Sequence, residues 1–260
     1  MSVAVVSSSN DEARMSLIEH LTELRDRLIK IVLAVAFGMV VAFFLYNRIF
    51  HFLLGPYEDI ANSGNSLTGG KLLQVDPLEG FGIRMKLAAY GGIAIAMPVI
   101  LWQIWRFVTP GLYEHERRYA LGFVSSALAL FVMGAGLAFL TLPQALRWLV
   151  SIGGADNFVT AFAPAKYFTL ITYMMLAFGI GFEFPIILVF LQLVGVLTVA
   201  SLRRFRRYAV VGITVIVAII TPSGDPISML MLSVPMVLFY EAAIVAGRLI
   251  ERRRAAAAAA

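Results

Sequence analysis

The sequence predicts an all-α polytopic membrane protein with six transmembrane helices, both termini cytoplasmic, and short helices 5 and 6. Three observations predict it. Apolar residues make up 60% of the 260 and charged residues only 14%, with a mean hydropathy of +0.85, whereas a soluble domain holds roughly a quarter charged residues. Long apolar runs, most of them near the roughly 20 residues that cross a bilayer core, alternate with short segments rich in Pro, Gly and charge. Of the 21 Lys and Arg, only Arg48, Lys71, Arg84, Lys86, Arg147 and Lys166 fall on the side opposite the N-terminus. By the positive-inside rule the termini are then cytoplasmic.

The same composition excludes several classes. The net charge of +5 comes from basic residues at the ends of apolar runs, which anchors a membrane protein and gives no stripe for nucleic acid. There are no cysteines, so disulfides, thiol redox chemistry and thiolate metal sites are absent. His20, His51 and His115 are scattered and match no metal spacing. No nucleophile elbow, phosphate loop or triad pattern occurs, and neither an enzyme nor a cofactor site is expected.

Residues 1–15 read as a mobile tail, residues 16–248 as one six-helix domain preceded by an amphipathic helix, and residues 249–260 as a cytoplasmic tail. Ser16 with Glu19 forms a capping-box pattern. Leu17, Leu21, Leu24 and Leu28 recur at helical spacing, so an amphipathic helix lies on the membrane surface and runs into span 1. Glu23 with Arg27, and Asp26 with Lys30, are i,i+4 pairs in the favourable order.

Span 1 covers about residues 29–50, and a loop over 51–82 follows, in which Pro56 breaks the helix. Span 2 covers about 83–108 with Pro98 inside it, and Arg84 and Lys86 at its start snorkel to the interface. The segment from Phe107 to Tyr119, FVTPGLYEHERRY, concentrates Glu114, His115, Glu116, Arg117 and Arg118 between two apolar runs. Span 3 covers about 119–142 and ends near Pro143, and a loop over 144–162 leads to span 4 within 163–194. Span 4 contains Glu183, and a carboxylate in mid-span is costly enough to mark either a functional site or a structural hydrogen bond to a neighbouring helix. Residues 198–207 form a basic loop with four arginines. Span 5, about 208–220, and span 6, about 227–247, form a hairpin around Thr221-Pro222-Ser223-Gly224-Asp225-Pro226, a segment no helix tolerates. The terminal alanines carry no argument.

Several blocks in this order carry a resemblance: HLTELRDRL from His20, MPVILWQIWRF from Met97, PGLYEHERR from Pro110, FGIGFEFP from Phe178 and TPSGD from Thr221. Over about residues 16–248 the chain is similar to the TatC family, signal-peptide receptors of the twin-arginine protein translocase. The resemblance implies a subunit of the bacterial or archaeal cytoplasmic membrane that binds the twin-arginine signal peptides of folded cargo proteins. It implies self-association and small single-span TatA/TatB-type subunits as partners. Carried over by motif, the signal-peptide-binding positions are Glu23, Arg25, Phe107 and Glu116. Glu183 is the buried polar residue toward partner helices, and Pro56 and Asp225 match further family positions. Where the family often has a glutamine near the start of span 6, this chain has Met229, which removes a polar contact for a partner helix.

The chemistry suits such a role. A guanidinium is always charged and presents a planar fork that a carboxylate accepts bidentately, so two adjacent arginines call for two carboxylates on separate supports. Each has a local competitor: Arg27 for Glu23, and Arg117 or Arg118 for Glu116. The alternative function is a proton-coupled secondary transporter using Glu183, although the chain has no inverted repeat and no matched pair of broken helices.

Overall fold

The computed structural model describes residues 17–61, 72, 76–108, 120–152 and 163–259, and among them all regular structure is helical. The N-terminal tail and most of the loop predicted to carry Glu116 lie outside the described residues.

Helix α1 (Leu17–Phe44) is continuous from the amphipathic stretch into the first apolar run, because nothing between them is a Pro and the helix-forming pattern does not lapse. A one-residue turn at Leu45 starts α2 (Tyr46–Ala61). Pro56 lies inside α2, contrary to the break predicted there; this single proline forfeits one backbone bond, and its buried position gives the helix packing to offset the loss. Helix α3 (Glu79–Val108) runs through Pro98. Helix α4 (Ala120–Ile152) likewise continues past Pro143, where span 3 was predicted to end. Ala145 and Leu146, just beyond that proline, are 1% and 3% exposed, so core packing carries the helix on.

Helix α5 (Pro164–Gly181) is the centre of the bundle, with Phe168, Ile171, Met174 and Phe178 fully buried. It packs against α3 and α4, and Tyr167 Oη donates to Leu53 O of α2 at 2.7 Å. Helix α6 (Phe184–Leu193) follows after two residues and packs on α8.

Helix α7 (Val199–Ile220) corrects the sequence reading, because the predicted basic loop is helical. Thr198 caps it, its hydroxyl accepting from Ser201 N at 3.1 Å, and arginine is a good helix former. The helix has 22 residues, but only its second half, from Tyr208, is free of charge. Helix α8 (Pro226–Ala259) has 34 residues, so the sixth helix is not short either. Its arginines and alanines favour helix and nothing after Gly247 stops it. Arg206 pairs with Glu241, and Tyr240 Oη donates to Leu202 O at 2.7 Å, which docks α7 on α8.

Among the described residues, five segments are long and apolar enough to cross a membrane: Leu21–Phe44, Glu79–Phe107, Leu121–Ile152, Pro164–Leu193 and Pro226–Arg252. The arginine-bearing α7 is not among them. Helices α1 and α3 approach so closely that a Cβ on Gly38 would stand 2.4 Å from Gly92 O. Small residues allow such backbone contact between membrane helices.

Candidate functional site

The apolar run of span 4 is interrupted at Phe182–Glu183, and the cause is local. Pro185 has no N–H to offer Gly181 O, so the ladder cannot continue unbroken. Glu183 N turns instead to Ile180 O at 3.0 Å, and Ile187 N returns to Glu183 O at 3.1 Å. Glu183 thereby occupies the N-cap position of α6 with helical dihedrals. Its side chain makes no capping bond, is 7% exposed, and its Oε1 has no hydrogen-bond partner. Among the described residues no hydrogen bond joins this side chain to a neighbouring helix.

Glu183 lines a groove of about 520 Å³ between α3, α4 and the α5–α6 break. The other walls are Ile100, Ile104, Ala127 and Ile187, with Trp105, Phe123 and Phe190 closing one end. The Trp105 and Phe123 rings lie 4.3 Å apart, and Phe190 stands 6.1 Å from Trp105. Glu183 is the ionisable residue on this wall. A deep apolar groove with one unsatisfied carboxylate suits an apolar helix that brings one hydrogen-bond donor.

The α5–α6 break is held in place by a residue that the sequence reading passed over. Gln192 is buried, its Nε2 donating to Leu188 O at 3.2 Å and to Ala243 O at 3.1 Å. A Cβ on Gly247 would stand 1.7 Å from Gln192 Oε1, so only glycine lets α8 approach there. The signal was a lone amide in the run FPIILVFLQL, which reads as a polar fastener between membrane helices.

The residues predicted to read a signal peptide are only partly in view. Glu23 lies on α1, its Oε1 accepting from Arg27 Nε at 3.1 Å and from Arg27 Nη2. Both side chains are mostly covered, 20% and 12% exposed, and Glu23 Oε2 is buried without a partner. The predicted Glu23–Arg27 pair therefore forms. Asp26 does not take Lys30; Arg25 reaches it first, with Nη2 at 2.8 Å, since the neighbouring guanidinium offers two donors to one oxygen. Phe107 sits half-buried at the end of α3. Glu116 lies outside the described residues.

Two further predicted positions are placed. Pro56 is buried within α2. Asp225 is fully buried in the α7–α8 turn, its Oδ1 accepting from Ser228 N at 2.7 Å and its Oδ2 from the Ser223 hydroxyl. It is the N-cap of α8. Met229 is half-buried against the core on the first turn of that helix.

Fold and groove define an all-helical polytopic membrane protein that keeps an unsatisfied carboxylate in its apolar zone. The sequence profile of Sec-independent protein translocase protein (TatC) matches residues 19–235, and the chain belongs to that family. It is 40% identical over 249 residues to the TatC protein of Frankia casuarinae, covering 94% of this chain and 68% of that one. It is 37% identical over 242 residues to the TatC protein of Aquifex aeolicus, covering 92% and 98%. The crystal structure of the twin arginine translocase receptor TatC superposes with a TM-score of 0.74 at 36% identity, covering 89% of this chain and 99% of that one. The family is one of protein translocase components, not enzymes. The proton-coupled transporter reading finds no support in it.

Proposed function

We propose that this chain is the twin-arginine translocase subunit that binds twin-arginine signal peptides of folded cargo and helps assemble their export site. The observation that carries the reading is the likeness, along nearly the full chain, to a solved twin arginine translocase receptor. Glu23 supports it: one oxygen is engaged by Arg27 and the other has no partner, so the carboxylate has capacity for an incoming guanidinium. Glu116, in the loop after α3, supplies the second carboxylate, and Arg25 and Phe107 complete the binding surface. In this reading both termini and this surface face the cytoplasm, six helices cross the membrane, and the membrane is the cytoplasmic membrane of a bacterium or archaeon.

The test is binding of a twin-arginine peptide to the purified protein. Glu23→Gln and Glu116→Gln should each weaken it, by about 1.5–3 kcal/mol if the pair is partly desolvated and by about 0–1 kcal/mol if solvated. A lysine-lysine peptide should bind poorly to the wild type, because an ammonium lacks the planar fork. Full binding and full discrimination in the double variant would remove these carboxylates from recognition. Orientation is tested by impermeant thiol labelling of single cysteines in this cysteine-free chain. Residue 116 should label from inside and residue 223 from outside, and the reverse pattern would overturn both orientation and receptor role.

A second reading concerns Glu183. Its partnerless oxygen on an open apolar groove supports docking of a small single-span TatA/TatB-type helix at this point. Asp225, with both oxygens occupied, has a structural part in the same assembly.

A further inference from the structure

At the end of the bundle where α3 and α5 begin and α7 turns into α8, a second pocket of about 420 Å³ opens to the surface. It is unlike the Glu183 groove. Its walls are Lys86 of α3, Ala165, Lys166, Thr169, Leu170 and Tyr173 of α5, and Pro222 of the turn. Two ammonium groups thus share one concavity at the end of the molecule where the sequence carries few basic residues.

Among the described residues neither lysine is neutralised. No ion pair among them involves Lys86 or Lys166, and none of the described residues lining the pocket is a carboxylate. Glu79, also near the start of α3, is turned to the backbone, its Oε1 accepting from Ala165 N at 2.8 Å. Lys86 is held rather than free: its Nζ donates to Thr169 Oγ1 at 3.0 Å, while Thr169 Oγ1 donates to Ala165 O at 2.6 Å. The hydroxyl's donor is spent on the carbonyl, so it can only accept from the ammonium. That leaves two further Nζ donors on Lys86 for a ligand.

The pocket's level fixes its surroundings. Two of the membrane-crossing segments begin there, at Glu79 and at Pro164, so the lysines lie where apolar core gives way to headgroups. Leu170 and the half-exposed ring of Tyr173 form the apolar side, with Met85 exposed beside Lys86. Tyrosine at this depth keeps its ring in the hydrocarbon and its hydroxyl in the headgroup layer. Paired cations above an apolar wall match an anionic phosphate joined to acyl chains.

We propose that this pocket binds the phosphodiester headgroup of an anionic phospholipid from the adjacent leaflet, held by Lys86 and Lys166. The headgroup phosphate sits between the two Nζ groups, and its glycerol end leaves along Leu170 and Tyr173. Bound there, the lipid joins α3 and α5 to the α7–α8 turn at Pro222.

The test is native mass spectrometry of detergent-purified protein titrated with phosphatidylglycerol, with phosphatidylcholine as the uncharged control. The wild type should retain one phosphatidylglycerol that the Lys86→Gln, Lys166→Gln double variant loses, with affinity lower by on the order of tenfold. The double Lys→Arg variant should keep it, since both side chains hold phosphate. Thr169→Val, which only frees Lys86, should cost less than the double variant and also covers the case in which that variant fails to fold. Equal retention by wild type and the glutamine variant would overturn the site. Displacement of the lipid by millimolar inorganic phosphate would overturn the lipid as its source and leave a small-anion pocket.

Discussion

Two breaks in the helical bundle, at Glu183 and at Asp225, each bury a carboxylate beside a proline, and they treat it in opposite ways. At the α7–α8 turn, Asp225 is wholly covered and both its oxygens accept hydrogen bonds, from Ser228 N and from the Ser223 hydroxyl. Gly224, with φ of +59°, supplies a left-handed residue that bends the chain so these donors converge. At the α5–α6 break, Glu183 is nearly as buried, yet its Oε1 has no partner and it faces an open groove. A satisfied buried carboxylate costs little and fixes a turn, whereas an unsatisfied one costs free energy until something docks. The first fixes a turn, and the second is left without a partner among the described residues.

The largest expected effect breaks the satisfied site. Asp225→Ala removes the cap of α8 and strands the Ser228 N–H, which should lower stability by about 2 kcal/mol. Asp225→Asn keeps an acceptor and should lose about 1 kcal/mol or less. Denaturant unfolding in detergent measures both, and equal losses would show that the cap carries no weight.

The next effect is on assembly. Glu183→Leu should leave the stability of the isolated chain within about 1 kcal/mol of wild type, because no hydrogen bond is lost. It should nonetheless reduce co-purification of small single-span partners, and Glu183→Gln should preserve it. If Glu183→Leu destabilises the chain as much as Asp225→Ala, the contrast between the two breaks disappears.

The smallest effect sharpens the contrast with a third carboxylate, Glu23, which is half satisfied. Arg27→Gln should change stability by only about 0.5 kcal/mol, as for other i,i+4 pairs. By removing the internal competitor it should tighten binding of a twin-arginine peptide, by about 1 kcal/mol or less. The gain should shrink at high salt. Weaker binding would mean that Arg27 positions Glu23 rather than competing with it.

Much of this was legible in the chain. Hydropathy and prolines located the apolar segments because a bilayer demands about 20 apolar residues per crossing, and the Thr221–Pro226 turn followed from backbone chemistry alone. The ordered blocks around Pro98, Phe178 and Thr221 gave the family. Helix ends were less legible. Pro56 and Pro143 did not stop their helices, and the arginines of α7 and the alanines of α8 extended theirs. Local signals weigh the cost of one lost bond but not the packing that offsets it.

The sequence by itself determined that Asp225 would sit at an interruption, since no helix tolerates the Thr221–Pro226 segment, whereas Glu183 read as mid-span and the break beside it appeared only in the structure. Only the tertiary structure decided which of them would be satisfied. That depends on whether hydroxyls and N–H groups converge on the carboxylate in space. At Asp225 the donors come from within three residues, but at Glu183 the groove walls come from α3 and α4 and bring no donor to Oε1. The lysine pocket was decided in the same way, for Lys86 and Lys166 lie 80 residues apart and meet only because α5 docks beside the start of α3.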